Sequence, residues 1–241
     1  MYRNYVIIVA GGTGSRMGSD IPKQFLLLKG LPVMMHAIYA FHQSTSSPEI
    51  VVVIHPSLCD DWSELCKMHA FSVPHTVING GSSRFESVKK GLAAIKSLEA
   101  EMRHSLIAVH DAARPLVSPT LIDETYKQAA RTNAAALAKP STDSVRIVIG
   151  NRLKNNAFPR SNVYLMQTPQ TFNGAILYEA YTGVDGSSFT DDAAAVEKKG
   201  YPITLVDGDT RNIKITFPED LRIAEILLEQ GVLSRASDDA Q

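Results

Sequence analysis

Apolar residues along this chain fall into two alternating kinds of run. Short continuous stretches rich in Val, Ile and Ala occupy residues 5–10 (YVIIVA), 50–55 (IVVVIH), 75–79 (HTVIN), 106–111 (LIAVHD) and 134–138 (AAALA). Continuity rather than strict alternation predicts strands covered on both faces. Between them apolar positions recur at helical spacing, with Val33, Met34, Ala37, Ile38 and Phe41 on one stripe and Val88, Leu92 and Ile95 on another. Ser83 and Glu86 have the spacing of a capping box, and Ser118-Pro119 offers an N-cap and a first-turn proline for a helix over about residues 121–130. This βα alternation predicts an α/β fold with a doubly wound, mainly parallel sheet.

The pattern changes at residues 141–168. Val145, Ile147 and Ile149 alternate with Arg146 and Val148, Gly150-Asn151 offers a turn, and the polar stretch that follows has no helical period. We read the segment as a β-hairpin arm projecting from the sheet, of the kind that covers a site or joins two copies. Helices are expected near residues 173–182 and 191–199, a strand at 203–206, and a last helix from 218 to about 230. One domain over residues 1–233 is expected, with 234–241 as a flexible tail. No internal repeat is present.

The chain has 241 residues, 44% hydrophobic and 20% charged, with a formal net charge of -1. Near-neutrality removes the broad basic field on which nonspecific nucleic-acid binding depends, so no nucleic-acid partner is expected and any phosphate recognition must be local. No apolar run approaches the roughly 20 residues that span a bilayer, and no basic-then-apolar leader pattern opens the chain, so no membrane partner is expected. Cys59 and Cys66 share one helical stretch without metal-ligand spacing, as in a reduced, cytoplasmic protein.

The first strand runs straight into VAGGTGSRMGSDIPKQF (residues 9–25). A Walker A loop would end in Gly-Lys-Ser/Thr, which is absent. A dinucleotide fingerprint would need a third glycine where Met17 stands, and an acid after the second strand, which instead reads VVVIHPS. A nicotinamide-dependent dehydrogenase is disfavoured on both counts. What remains is a loop whose glycines let backbone N–H groups approach a polyphosphate while Arg16 and Lys23 supply charge, against the plainer reading of a glycine turn with two solvated cations.

The run AGGTGSRM with PKQF, together with GGSSRFESV (80–88), HDAARPLV (110–117), TPQTF (168–172), TDDAAAVE (190–197) and NIKIT (212–216), resembles the 2-C-methyl-D-erythritol 4-phosphate cytidylyltransferase family. These are nucleotidylyltransferases with a Rossmann-like, GT-A-like fold. The resemblance implies attack of the acceptor phosphate on the α-phosphorus of CTP with loss of pyrophosphate. It assigns Arg16 and Lys23 to the charge that develops there, and Ala10, Gly11, Gly12, Gly14, Gly81, Ser82 and Ser87 to the nucleotide. It further implies that Asp111 places a magnesium ion beside CTP, with Ala112 near the ribose. Ser144, Arg160, Thr168, Thr190 and Lys214 would meet the sugar-alcohol phosphate, Arg160 and Lys214 with a catalytic share, and the arm would join two copies as a homodimer.

Plainer readings stand beside these. Ser82, Ser83 and Glu86 can simply cap a helix, Asp111 can cap a turn through Arg114, and Arg160 and Lys214 can be solvated cations. Thr190-Asp191-Asp192 reads first as a helix cap, and His55, His75 and His110 as structural histidines. Many relatives carry Asp where Ser82 stands and Thr where Ser144 stands. Ribitol 5-phosphate cytidylyltransferase and a non-catalytic nucleotide-binding module are the rival functions, and a monofunctional chain is expected.

Overall fold

The computed structural model describes residues 2–12, 21–99, 101–184 and 189–238, the last eight as backbone alone. Its strands are β1 (Arg3–Ala10), β2 (Leu27–Leu28), β3 (Leu31–Pro32), β4 (Glu49–Ile54), β5 (Thr76–Asn79), β6 (Ser105–Asp111), β7 (Ala134–Pro140), β8 (Val145–Val148), β9 (Asn155–Phe158), β10 (Tyr164–Asn173) and β11 (Thr204–Asp207). The helices are α1 (Val33–Gln43), α2 (Cys59–Met68), α3 (Arg84–Leu98), α4 (Pro119–Thr132), α5 (Gly174–Tyr181), α6 (Asp192–Glu197) and α7 (Pro218–Asp238). Seven strands form one sheet in the order β11-β7-β10-β6-β1-β4-β5. All of its pairings are parallel except those of β10, which runs antiparallel to both β6 and β7.

The continuous apolar runs are buried on both faces because successive side chains point to opposite sides of a strand. Val6, Ile8, Val52, Ile54, Leu106 and Ala108 enter one core with α1, α2 and α4. Tyr5, Ile7, Val51, Val53, Ile107 and Val109 enter the other with α3, α5 and α6. Register preserves the sorting, since Val6 faces Ile50 on one side and Ala108 on the other. Both expected caps form: Ser83 Oγ accepts from the Glu86 N–H at 3.1 Å, and Ser118 Oγ from the Leu121 N–H at 3.3 Å.

The largest departure from the sequence pattern is β10. The arm proper is the β8–β9 hairpin, turning at Gly150 (φ 81°). The chain is back in the main sheet from Tyr164, within the stretch read as arm and ahead of the helix expected from residue 173. Two features hid this strand. Its buried positions are largely polar, with Gln167, Thr168, Gln170, Thr171 and Asn173 all inside. Pro169 also argues against a central strand, but the β10–β7 register shifts between Met166 and Gln170, and that bulge accommodates it. NIKIT, read as strand-like, makes no ladder, and α7 continues past the end expected near residue 230.

After α1 the chain is clasped by Asp123 on α4. One carboxylate oxygen accepts from Ser44 Oγ (2.6 Å), Ser46 N (2.8 Å) and Ser46 Oγ (2.6 Å); the other accepts from Thr45 N (3.2 Å) and Thr45 Oγ1 (2.8 Å). Partial burial works against the charge, but these donors outweigh it and hold the carboxyl at about 2. Asp123→Ala strands those donors, and is expected to cost about 2 kcal/mol of unfolding free energy without changing turnover. Urea unfolding of the two proteins checks this.

Candidate active site

Parallel strands end together, so the carboxyl ends of β1, β4 and β6 bring their following loops to one edge of the sheet, where open α/β sheets bind ligands. Gly11 and Gly12 leave β1 there, and Gly80–Ser83 lead from β5 into α3. The second loop is tightly folded. A Cβ on Gly81 would lie 2.4 Å from the Glu86 Cβ, so the position admits only glycine without rearrangement. The Ser87 hydroxyl accepts from the Gly81 N–H at 3.1 Å and donates to the Ser83 carbonyl at 2.8 Å.

Asp111, at the end of β6, sits at the centre of the charge. Arg84 Nε donates to its Oδ1 at 3.2 Å, while Lys214 Nζ lies 2.8 Å and Arg114 Nε 3.6 Å from its Oδ2. Burial alone would raise this carboxyl, but Arg84, Lys214 and Arg114 together hold it far below the usual range, so it is ionised. Arg84 spends its other nitrogens on Asp192, NH1 to Oδ1 at 2.9 Å and NH2 to Oδ2 at 2.7 Å. Lys23 Nζ donates to the Ile215 carbonyl at 3.1 Å.

Two cavities meet at this cluster and share Arg84, Asp111 and Lys214. The larger, about 410 Å³, is also lined by Gly11, Gly12, Lys23, Gly81, Ser82 and Ala113. The smaller, about 250 Å³, is lined further by Arg114, Gln167, Thr168, Gln170, Thr190 and Asp191.

The structure thus gathers Gly11, Gly12, Lys23, Gly81, Ser82, Asp111 and Lys214 around one space and Thr168 and Thr190 around the next. Ala10, Ala112 and Ser87 support the walls instead. The Ala10 carbonyl accepts from Gln24 Nε2 at 2.9 Å, the Ala112 N–H donates to the Val9 carbonyl at 3.1 Å, and the Ser87 hydroxyl is used within its loop. Ser144 and Arg160 lie exposed near the arm and line neither cavity; Arg160 NH1 donates to the Thr142 carbonyl at 2.9 Å. Arg16 and Gly14 lie outside the described residues.

Arg84 and Arg114 were not singled out as site residues from sequence. Arg84 does carry a readable signal, because it opens α3, where the helix dipole disfavours a cation unless an anion compensates it. Asp192 and Asp111 are those anions.

Thr168 does more than border a cavity. Its Oγ1 accepts from the Asp111 N–H at 3.1 Å and lies 3.1 Å from His110 Nδ1, while His110 Nε2 lies 3.1 Å from the Arg114 carbonyl. The set is satisfied when neutral His110 carries its proton on Nε2, donates to Arg114 and accepts from Thr168. Full burial agrees, lowering the imidazole to about 4.

Among the described residues no three His, Cys, Asp or Glu side chains gather as a metal cluster. Asp111 is a single carboxylate, which suits a magnesium ion that brings phosphate oxygens and water as its remaining ligands, and does not suit an all-protein cage.

Residues 4–230 match the family model for 2-C-methyl-D-erythritol 4-phosphate cytidylyltransferase, IspD. The chain belongs to this family. Relatives of that description include one from Azobacteroides pseudotrichonymphae, 46% identical over 95% of this chain and 100% of its own, and one from Phocaeicola vulgatus, 44% identical over 93% and 99%. Among solved structures, the Thermus thermophilus cytidylyltransferase is 31% identical with a TM-score of 0.72 over 94% of this chain and 98% of its own. The 4-diphosphocytidyl-2C-methyl-D-erythritol synthase of Anaerococcus prevotii is 26% identical with a TM-score of 0.79 over 95% and 96%. The mostly parallel sheet is thus that of the IspD nucleotidylyltransferases.

In this IspD chain His110 ties the stability of the site to pH. The folded state favours neutral imidazole, so its contribution is complete above about 6.5 and is lost as pH falls toward about 4. At about 1.4 kcal/mol per unit the loss is bounded near 3 kcal/mol. Unfolding free energies of wild type and His110→Gln, measured across that window, are expected to diverge by up to this amount, the variant showing the flatter profile.

Proposed function

We propose that this chain joins CTP and 2-C-methyl-D-erythritol 4-phosphate to give 4-diphosphocytidyl-2-C-methyl-D-erythritol and pyrophosphate, a step of non-mevalonate isoprenoid synthesis. Two adjoining cavities with a common cationic wall carry the reading, alongside family membership. The reaction brings two phosphate-bearing molecules together at one phosphorus, and Arg84, Asp111 and Lys214 belong to both spaces. We assign the larger cavity to the nucleotide and the smaller to the acceptor.

The chemistry asks little covalent work of the protein. An acceptor phosphate oxygen attacks the α-phosphorus, the bond to the β-phosphate oxygen breaks, and pyrophosphate carries that electron pair away. No general base is needed because the attacking phosphate is already anionic. The burden falls on alignment and on positive charge at the crowded phosphorus. Lys23 and Lys214 both line the larger cavity, and Arg16 belongs with them by its motif. Asp111 would hold magnesium, which when bound neutralises phosphate charge and orients the triphosphate. A cytoplasmic location fits the two free cysteines.

Arg160 and Ser144 line neither of these two cavities, and the arm leaves Ile147, Val148, Ile149, Leu153 and Phe158 exposed. We therefore propose that the arm pairs with a second copy and that Arg160 serves the partner's acceptor site. Light scattering after gel filtration is expected to give a dimer; a stable monomer with full activity would remove the assignment.

Pyrophosphate release with CTP and magnesium is expected with methylerythritol 4-phosphate and not with ribitol 5-phosphate, and Lys23→Met is expected to slow it by about a hundredfold. Release with ribitol 5-phosphate alone would move the chain to another acceptor class.

A further inference from the structure

Asp192 has no exposure to solvent, yet it carries a charge and lines neither cavity. Its two oxygens take both terminal nitrogens of Arg84, and Oδ1 also accepts from the Tyr181 hydroxyl at 2.5 Å. Tyr181 in turn stacks on Phe85, the neighbour of Arg84 on α3, at 4.4 Å between ring centres and 15° between planes. The start of α6 is pinned independently to β10: Gln170 Nε2 donates to Asp191 Oδ2 at 2.9 Å, and its Oε1 accepts from the Ala193 N–H at 2.9 Å. The anion opposite Arg84 is therefore fixed on three sides.

We propose that Asp192 is a positioning residue for the cytidyl transfer, acting through Arg84. By occupying the guanidinium fork it leaves only the Nε edge for Asp111, as observed. Without the Asp192 charge, the fork is released to grip Asp111 with two hydrogen bonds, the geometry guanidinium and carboxylate prefer. Asp111 would then lose the face it turns to the cavities, and Arg84 would shift in the wall common to both. Asp192 thereby reserves Asp111 for the ligands without touching them. Tyr181 supports it by donating its hydroxyl to the same carboxylate. The inference rests on the cavity assignments above only for its kinetic arm; the orientation of Arg84 is tested apart from substrate.

The kinetic arm compares Asp192→Asn, Asp192→Glu and wild type. Asn preserves shape and discards charge, whereas Glu preserves charge and disturbs packing. A positioning role through charge predicts that kcat falls about tenfold in Asn and is largely restored in Glu, with both KM values within about threefold of wild type. A role in packing predicts the opposite ranking and would overturn the proposal. If Asp192→Asn does not fold, the double variant Arg84→Gln/Asp192→Asn, which buries no uncompensated charge, is set against Arg84→Gln. A double variant no slower than the single means that Asp192 acts through Arg84; a much slower one means that it does not. The substrate-free arm follows the Arg84 Nε–H resonance by NMR, assigned by its loss in Arg84→Lys. Slow exchange in wild type and fast exchange in Tyr181→Phe or a folded Asp192 variant lacking the charge support the clamp; equally slow exchange throughout overturns it, whatever acceptor the enzyme uses.

Discussion

A buried carboxylate surrounded by three cations is the constraint on which this site depends. Asp111 closes the most deeply buried strand of the sheet, and removing it from water would be prohibitive without Arg84, Lys214 and Arg114 around it. Each of those cations comes from a different part of the chain. Arg84 opens α3, Arg114 follows β6, and Lys214 lies in the loop before α7. Satisfying one anion therefore assembles three segments. An excess of positive charge remains on the cavity walls, which is what a triphosphate and a phosphate acceptor require.

The antiparallel strand β10 gives the site its second half. Were the sheet wholly parallel, the neighbour of β6 would deliver a βα loop beside Asp111. Instead the body of a strand passes there, carrying Gln167, Thr168 and Gln170 with their side chains buried. Strands position side chains more rigidly than loops do, and this one ties the Asp111 backbone through Thr168, the α6 terminus through Gln170, and the segment before α7 through Gln167, whose Nε2 donates to the Asp209 carbonyl at 2.8 Å. Polar residues unusual for a central strand are thus the fasteners around the smaller cavity.

Local rather than global charge serves phosphate here. The chain is close to neutral overall, so the cations act at hydrogen-bond distance within a partly enclosed edge of the sheet, where screening by salt is weaker than on an open surface. Compensating acids are placed behind the cations. Asp192 is wholly buried at the back of Arg84, and it neutralises part of that charge without presenting an oxygen to the cavities.

The sequence by itself determined the parallel βα frame, because continuous runs such as VIIV and LIAV can be buried only in strands covered on both faces, and helical stripes supply the covers. It also determined the placing of Asp111 at a strand end, since residue type and neighbours decide it. Tertiary structure alone decided that YLMQTPQTFN is a central strand, because its buried polar atoms find partners only on segments distant along the chain. It also decided that Ser87, Ala10 and Ala112 support the walls while Ala113 lines the cavity, and that Arg84 links both spaces. A residue's partners across 27 or 108 positions, as for Arg84 with Asp111 and Asp192, leave no periodic trace in the chain. Only folding brings those charges within reach of one another.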